Sequence, residues 1–294
     1  RTLQPARQRA AALPGLHQMM AMDATFRALH APGELLVLPN AWDALSARLI
    51  EEAGAKAIAT SSAMVAWAHG VPDGNRLAPG LLAAAPARLA RANRVPLSVD
   101  AEAGLTEDPA AVAANVSALV GAGAVGINIE DGAGAPELLC RKIEAIKKAT
   151  SRNGFSLWIN ARTDVVLAQL VPRAQALAEI TRRAALYRAA GADSLFAPGV
   201  TDPEMIAGVV QAAGDMPVNL LAVPGLPGGA ELRRLGVRRI STGSGLGSVA
   251  YAAARDAARA MLAAGDTAAL LGQPRLDYGA TNALLSRGAE PDRA

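Results

Sequence analysis

The sequence predicts an α/β fold in which eight parallel strands and their helices close into a single (β/α)8 TIM barrel. From about residue 35 to residue 264, an apolar run, a Gly, Pro or polar loop and an Ala-rich helical stretch follow one another repeatedly, without a linker. The run at residues 125–129 is apolar at most positions, which is typical of a strand buried on both faces of a parallel sheet. Eight equal units favour a closed barrel over an open doubly wound sheet.

The eight predicted strands are apolar runs, and several of them end in polar residues. They cover residues 35–39, 56–60, 95–100, 125–130, 155–160, 193–197, 217–221 and 237–242. Asn40, Asp108 and Asp202 each stand where a helix is expected to begin, over residues 41–53, 110–121 and 205–213. Ala-Gly-Ala triplets at 53–55, 122–124 and 190–192 predict helix ends, because glycine tolerates the left-handed backbone there.

Composition excludes several classes of protein. The net charge of +3 comes from scattered arginines, and no basic run is interleaved with aromatic residues, so nucleic acid is not an expected partner. No apolar stretch approaches the roughly 20 residues of a membrane-spanning helix. The single cysteine, Cys140, cannot form an internal disulfide, and a reducing, cytoplasmic setting fits.

One catalytic domain is predicted at residues 24–264, with an N-terminal extension at 1–23 and a C-terminal tail at 265–294 that packs on a neighbour. The extension carries Arg1, Arg7 and Arg9 and no acidic residue before Asp23. A transit peptide is one interpretation of that pattern, and a surface extension is the favoured one, since no apolar core of signal-peptide length follows.

Acidic side chains follow two neighbouring strands, at the end of the barrel where active sites lie. Asp100 and Glu102 end the third predicted strand, and Asn128 and Glu130 end the fourth. Side chains alternate along a strand, so each pair is expected to face the mouth, where three carboxylates repel one another unless a cation lies among them. Oxygen ligands without Cys or His favour Mg²⁺, or Mn²⁺, over zinc. The alternative is that these acids are solvated loop residues.

Further polar residues near strand ends have two interpretations each. Arg162, after the fifth predicted strand, is suited to hold a substrate carboxylate and stabilise negative charge, or to form a salt bridge with Asp164 or Glu130 at the rim. Ser61 and Ser62 are suited to an oxyanion, or form a plain polar loop. Asn219, on the seventh strand, is expected either in a buried hydrogen bond or in contact with substrate. Asp131 is expected to face outward as a solvent or helix-cap residue.

Some chemistry is disfavoured by the residues that are missing from the mouth. Lys56, Lys142, Lys147 and Lys148 fall at a strand start or on helices, which disfavours an imine-forming aldolase. Of the three histidines only His69 can reach the mouth, where a loop role is favoured over a base, so a His-rich zinc site and a Ser-His-Asp triad are disfavoured. The glycine-rich residues 243–247 are explained by phosphate binding or by close helix packing.

A set of short motifs resembles the isocitrate lyase and phosphoenolpyruvate mutase superfamily, over about residues 24–264. The motifs are PNAWD at 39–43, TSSA at 60–63, GVPD at 70–73, VDAEAG at 99–104, GINIED at 126–131 and NARTD at 160–164. The resemblance implies an eighth helix exchanged between paired subunits, usually in a tetramer built as a dimer of dimers.

The same resemblance implies roles for individual residues. Asp100 would bind magnesium directly, whereas Glu102 and Glu130 would hold it largely through water. Ser61 and Ser62 would bind a substrate carboxylate or phosphoryl group, Asp73 would lie on a mobile gating loop, and Arg162 would hold the pyruvate-like part of the substrate.

Departures from the superfamily pattern bear on the reaction. The lyases carry a Lys-Lys/Arg-Cys-Gly-His loop after the fourth strand, whereas residues 132–136 read GAGAP here, and Cys140 is expected to be a packed helix residue. Residue 102 is Glu where several members have Asp, and the sixth strand ends FAPG at 196–199, without the Glu of the lyases or the His of the mutase.

The sequence therefore predicts a magnesium-dependent carbon–carbon lyase that acts on a small 2-hydroxy or 2-oxo dicarboxylic acid through a pyruvate-type enolate. Arg162 and Asp73 are the expected catalytic residues, and the substrate is expected to contact Ser61, Ser62, Asn128, Arg162 and Asn219. One alternative is P–C bond chemistry of the phosphoenolpyruvate mutase or phosphonopyruvate hydrolase type. Another is a metal-binding barrel without catalysis.

Overall fold

A computed structural model describes residues 16–151 and 155–286 of the chain. Nine parallel strands form one nearly closed barrel in the order β1-β9-β8-β7-β6-β5-β4-β3-β2. They are β1 (Leu36–Leu38), β2 (Asn40–Ala41), β3 (Ile58–Thr60), β4 (Leu97–Asp100), β5 (Gly126–Glu130), β6 (Trp158–Arg162), β7 (Ser194–Phe196), β8 (Val218–Leu221) and β9 (Arg239–Ser241). This architecture confirms the predicted (β/α)8 barrel.

The ninth strand arises because the chain continues past Pro39, where the first predicted strand ends, into a second short strand, β2. β1 pairs with β9 and β2 pairs with β3, so the two short strands together occupy one position of the barrel. Proline has no N–H to donate to a ladder, but its carbonyl still accepts from the N–H of Ala59 at 3.0 Å. The later strands consequently carry numbers one higher than their predicted order.

Helices cover the outside of the barrel and begin largely where the sequence predicts. They are α1 (Leu16–Ala28), α2 (Ala44–Glu52), α3 (Ser62–Ala68), α4 (Pro79–Ala92), α5 (Pro109–Gly121), α6 (Pro136–Thr150), α7 (Ala176–Ala190), α8 (Pro203–Ala213), α9 (Gly229–Arg234), α10 (Gly245–Ala264), α11 (Ala268–Leu271) and α12 (Tyr278–Ser286). Asp108 and Asp202 cap α5 and α8 as predicted. Gly54, Gly123 and Gly191 all have left-handed φ angles, between +99° and +105°.

Two predicted boundaries are wrong. Asn40 does not precede a helix but lies buried in β2, and α2 is instead capped by Asp43, whose side chain accepts from the N–H of Ser46 at 2.7 Å. Asp43 is the N-cap because its backbone N–H also donates to Ser46 Oγ, which completes a capping box. The fifth predicted strand starts and ends too early, since β6 runs to Arg162 and carries that residue on the strand itself.

The N-terminal end of the barrel is closed by α1. Phe26 is fully buried there, and the ring of His30 stacks on that of Trp158 with 4.4 Å between centroids. Burial, helped by the charge of Arg239, lowers the pKa of His30 to about 3, so the ring stays neutral. A Cβ at Gly126 would lie 2.8 Å from the Phe26 ring, so this contact requires glycine. These rings therefore cover the N-terminal ends of β5 and β6.

Helix α10 leaves part of the barrel wall uncovered. Of its 20 residues only Gly247 and Ala257 are buried, while Val249 and Leu262 are 71% and 85% exposed. Beside β1, an apolar groove of about 830 Å³ is lined by residues of α1, β1 and α2 and by the first turn of α10. Val37 of β1 is 55% exposed in that groove. A barrel strand of this kind is normally covered by a helix.

The predicted division at residues 23 and 264 stays a prediction. Residues 1–15 of the proposed extension, with Arg1, Arg7 and Arg9, and residues 287–294 of the tail lie outside the described residues. Among the helices that the structure describes, none is both long and apolar enough to cross a membrane.

Candidate active site

Asp100 stands at the last position of β4 and is surrounded by backbone N–H groups. Its Oδ2 accepts from the N–H of Ser62 at 3.2 Å, and its Oδ1 accepts from the N–H of Glu102 at 3.4 Å. Its own N–H donates to Thr60 Oγ1 at 2.9 Å. The strand end and the loop that begins α3 thus hold the carboxylate half-exposed at the mouth.

Glu102 reaches the same place by a turn and not by strand alternation. β4 ends at Asp100, and Glu102 has a left-handed φ of +49°, which is strained for a residue with a Cβ. Its carbonyl accepts from the N–H of Glu130 at 3.0 Å, and its Oε2 accepts from the N–H of Asn75. Strand alternation therefore does not extend to Glu102, although its side chain is buried beside the predicted site.

Glu130 and Arg162 are neighbours in register at the ends of β5 and β6. Arg162 Nη1 lies 2.7 Å from Glu130 Oε2, and its Nε and Nη2 donate to the two oxygens of Asp164 at 2.7 and 3.1 Å. The salt bridges that the sequence offered as an alternative role for Arg162 are thus both formed. A bidentate pair of this kind fixes the plane of the guanidinium.

Burial and like charges make the cluster costly to ionise. Burial raises the pKa of Glu130 to about 8, with Asp100 and Asp164 adding to the effect and Arg162 opposing it. Burial likewise raises the pKa of Glu102 to about 7, opposed by the hydrogen bond from Asn75 and reinforced by Asp100 and Asp73. Ionising the carboxylates together requires more positive charge than Arg162 supplies.

These donors fit a hard divalent cation, because they are oxygen atoms whose negative charge exceeds that of the arginine beside them. Within residues 16–151 and 155–286, no group of three or more His, Cys, Asp or Glu side chains is arranged to hold one ion together. An ion bound here would accordingly take only part of its coordination from side chains and the rest from water or ligand oxygens.

The other predicted site residues lie at different depths. Ser61 is the N-cap of α3, and the N–H of Ser62 bonds to Asp100, so both lie beside the carboxylates. Asp73 is exposed on the loop over Glu102. Asn128 is 5% exposed, beneath Glu130. Asn219 is fully buried and shares hydrogen bonds with Ser241, which is the buried alternative that the sequence allowed.

Asp131 does not face solvent, and this prediction is wrong. Its side chain is fully buried, with Oδ2 2.6 Å from Arg183 Nη1 and also accepting from the hydroxyl of Tyr187, while Oδ1 accepts from the N–H of Asp164. Strand alternation correctly turned Asp131 away from the mouth, but two polar side chains of α7 fill the space outside β5. Asp131 therefore anchors the backbone on which Asp164 stands.

Three minor expectations agree with the geometry. His69 ends α3 and its Nδ1 lies 2.8 Å from the Val65 carbonyl of the same helix. Cys140 packs against the core on α6. A Cβ at Gly247 would lie within 1.8 Å of Met64 Cε, so close helix packing accounts for that glycine.

Two residues beside the site were missed by sequence reasoning. Asn75, whose N–H bonds Glu102, also accepts from the N–H of Ala103 at 3.3 Å. The Gly74-Asn75 pair, both with positive φ, was the available signal. Lys142 donates to the Ala103 carbonyl at 2.7 Å from the opposite side, a contact between distant segments that has no local sequence signal.

Comparisons with known proteins agree on one family. The phosphoenolpyruvate phosphomutase profile matches residues 26–262. A Mycobacterium tuberculosis protein described as uncharacterized is 40% identical over 241 residues, covering 81% of this chain and 88% of that protein. An oxaloacetate decarboxylase of Bradyrhizobium sp. is 31% identical over 204 residues, covering 65% of this chain and 68% of that protein.

A solved structure from Burkholderia cenocepacia J2315, assigned only broadly as a lyase or mutase, superposes with a TM-score of 0.82 at 33% identity. The match covers 91% of this chain and 96% of that one. The fold, the motifs and the matched length lead to one conclusion. The chain belongs to the phosphoenolpyruvate phosphomutase family, within the isocitrate lyase and phosphoenolpyruvate mutase superfamily.

Proposed function

We propose that the barrel is a magnesium-dependent lyase that breaks a C–C bond of a small 2-hydroxy or 2-oxo dicarboxylic acid through a pyruvate-type enolate. The observation that carries this proposal is Arg162, whose guanidinium lies between Glu130 and Asp164 beside the carboxylate cluster. A fixed cation next to a divalent-ion site suits a ligand that carries negative oxygens at both ends of a two-carbon unit.

In this proposal the residues of the chain bind and orient the substrate. Asp100 would bind Mg²⁺ directly, and Glu102 and Glu130 would hold its water ligands. The ion, when bound, supplies Lewis-acid stabilisation of the developing enolate oxygen. Arg162 would exchange part of its contact with Glu130 for the substrate carboxylate, and Ser61 and Ser62 would donate to the substrate's second acidic group.

The loop that carries Asp73 and Asn75 is assigned to closing the site. It already contacts Glu102 and Ala103, so its position depends on the same segment that holds the carboxylates. Closing a loop over an enolate excludes water and prevents unwanted protonation. Asp73 would then enter the site only in the closed form.

Phosphonate chemistry is the second candidate, and the family match favours keeping it, since the matching profile is that of a phosphomutase. The proposed C–C bond cleavage is supported by the Bradyrhizobium relative, which is named for the decarboxylation of a 2-oxo dicarboxylic acid. Decarboxylation of a 2-oxo diacid and P–C cleavage of phosphonopyruvate both leave the enolate of pyruvate and differ in the group that departs.

Product assays separate the candidates. Purified protein with Mg²⁺ is supplied with oxaloacetate, substituted malates and phosphonopyruvate. The products followed are pyruvate, other 2-oxo acids, phosphoenolpyruvate and phosphate. Turnover of an oxo or hydroxy diacid that exceeds the rate with Mg²⁺ alone and stops with EDTA supports the lyase, and turnover of phosphonopyruvate alone supports the alternative. If oxalate raises the Tm with Mg²⁺ but none of these acids turns over, the barrel is a binding protein and both reactions are wrong.

We also propose that two copies of the chain exchange α10. The exposed apolar face of α10 and the apolar groove beside β1 belong to the same chain and are complementary in character. A second copy is the occupant that explains both surfaces at once. Val249→Asp on α10 should shift the oligomer toward monomer in analytical ultracentrifugation, while Ala185→Asp on the exposed face of α7 should not. A wild-type monomer at tens of micromolar would overturn this assignment.

A further inference from the structure

Arg239, on β9, is a fully buried arginine that contacts no carboxylate in the described part of the chain. Its Nη2 donates to Asn128 Oδ1 at 3.2 Å, while Nε and Nη1 have no hydrogen-bond partner among the described residues. Buried arginines are rare unless they are paired, because removing the charge from water is costly. A residue held at such a cost calls for a role beyond packing.

The guanidinium lies beneath the carboxylate cluster. Its partner Asn128 is in register with Asp100 on β4 and stands two residues before Glu130 on β5. Burial lowers the pKa of Arg239 to about 9, with the negative charge of Asp100 opposing that shift, so the side chain is still protonated at neutral pH. The floor of the site therefore carries a positive charge.

A chain of hydrogen bonds across the barrel interior ends at Asn128. Trp158 Nε1 donates to Ser194 Oγ, Ser194 Oγ donates to Asn160 Oδ1, and Asn160 Nδ2 donates to Asn128 Oδ1, each at 2.8 Å. Indole and guanidinium groups can only donate, so the direction of this chain is set from both ends. Asn128 must present its oxygen to Arg239 and Asn160, which leaves its amide N–H groups for another partner.

We propose that Arg239 is a positioning residue that holds Asn128 as an N–H donor at the floor of the site and, by its buried charge, makes the site prefer a doubly negative acid to a singly negative one. The proposal rests on the proposed function, since it assumes that an acid binds at this mouth. It assigns to Arg239 a specificity that neither the metal ligands nor Arg162 account for.

The experiment compares oxalate, a dianion, with glycolate, a monoanion of similar size, in titration calorimetry at saturating Mg²⁺. R239M removes the charge and the donor at similar length, R239K keeps the charge, and R238M removes the neighbouring arginine as a matched control. R239M should bind oxalate at least about tenfold more weakly, because both the buried charge and the hydrogen bond that orients Asn128 are lost, and glycolate within about threefold of wild type. R239K should keep most of the preference for oxalate over glycolate, and R238M should keep all of it.

Two further measurements do not depend on the acid. Removing a positive charge beneath a cation site should tighten Mg²⁺ binding in R239M by about threefold or more. The metal-free R239M protein should melt at or above the wild-type Tm, because an incompletely paired buried charge has been replaced by an apolar side chain. A merely structural arginine would instead lower the Tm and weaken both ligands together.

The outcomes separate this proposal from the proposed function. Wild type that binds Mg²⁺ but neither acid would overturn the function, and Arg239 would then be judged by the Mg²⁺ and Tm measurements alone. Equal losses of oxalate and glycolate affinity in R239M, or a lowered Tm with unchanged Mg²⁺ affinity, would overturn the role of Arg239. If R239M does not fold, R239Q takes its place, and a preserved oxalate preference in R239Q would likewise overturn it.

Discussion

The two ends of the barrel differ in how their polar side chains are compensated. At the N-terminal end, Phe26, His30 and Trp158 pack ring against ring, and the histidine is kept neutral. At the C-terminal end, Glu102 is buried and Glu130 is partly buried near other acids, and the backbone of Glu102 is left-handed. At the N-terminal end the packed side chains are neutral. At the mouth the carboxylates carry more negative charge than Arg162 balances, and a bound cation can compensate for it.

This contrast locates stability and function in different places. Three of the four non-glycine residues with positive φ in the described chain, Asn75, Glu102 and Leu105, lie on the two loops beside the mouth. Such strain persists where the surrounding structure fixes it and is common at functional sites. We therefore expect changes at the mouth to alter binding more than folding, and changes at the closed end to do the reverse.

The largest effect is expected for Asp100→Ala. As the proposed direct ligand of Mg²⁺, its loss should remove detectable metal binding and lower activity by at least about 10⁴-fold. Glu102→Gln and Glu130→Gln should weaken Mg²⁺ binding less, because they would act through water. Isothermal titration calorimetry with Mg²⁺ measures the order of the three affinities.

The metal-free Tm of Asp100→Ala provides the control. It should be unchanged or raised, since one charge leaves a repulsive cluster. A large drop in the metal-free Tm with Mg²⁺ affinity intact would make Asp100 a structural residue and remove the contrast between the two ends.

Phe26→Ala tests the closed end. Removing a fully buried ring should lower the free energy of unfolding by about 3–5 kcal/mol, or the Tm by roughly 10 °C. The Mg²⁺ affinity of the folded protein should stay within about twofold of wild type. Met20→Ala on the exposed side of the same helix is the matched control, with a change below about 0.5 kcal/mol. A Phe26→Ala protein that melts normally but loses Mg²⁺ would reverse the roles of the two ends.

Arg162→Lys should lower kcat/KM by about 100-fold, because lysine cannot reproduce the bidentate contact with a carboxylate. The expected change in Tm is small, since a lysine can still pair with Glu130 or Asp164. Arg182→Lys on α7, whose arginine pairs with Glu179 at the surface, is the control and should behave as wild type. Full activity in Arg162→Lys would remove Arg162 from substrate binding.

The smallest effect is expected in the pH dependence of the metal-free protein, where the two ends have opposite signs. Glu102 and Glu130 have folded pKa values of about 7 and 8, above the usual 4.5, so their contribution to stability is lost as pH rises through those values. His30, whose folded pKa is lowered, adds stability as pH rises from about 3 to its usual 6.5.

Of these three groups, only the two carboxylates titrate above pH 6.5. The Tm of the metal-free protein should therefore fall by a few degrees between pH 6.5 and 8. Glu102→Gln should reduce the slope, and saturating Mg²⁺ should abolish it. Thermal melts at several pH values with EDTA or Mg²⁺ measure this. A metal-free Tm that rises over this range would show that the carboxylates are already compensated.

The fold and the approximate position of the site could be predicted from sequence patterns for a physical reason. Strand alternation and helix caps are local, so the positions of Asp100, Asn128 and Glu130 near strand ends could be predicted from residues within a few places of each. The same local reasoning failed for Glu102, whose turn depends on Asn75 from another loop. It also failed for Asp131, whose burial depends on Arg183 and Tyr187 of α7.

By itself, the sequence determined the repeating strand and helix units, the order in which carboxylates and Arg162 meet at one end, and the family, because each follows from short-range pattern. Only the tertiary structure decided that Arg162 lies between Glu130 and Asp164, that Asn219 stays inside the barrel, and that Arg239 reaches across it to Asn128. Except for Arg162 with Asp164, these contacts join residues far apart in the chain. Their energies also depend on burial, which no local pattern of residue types encodes.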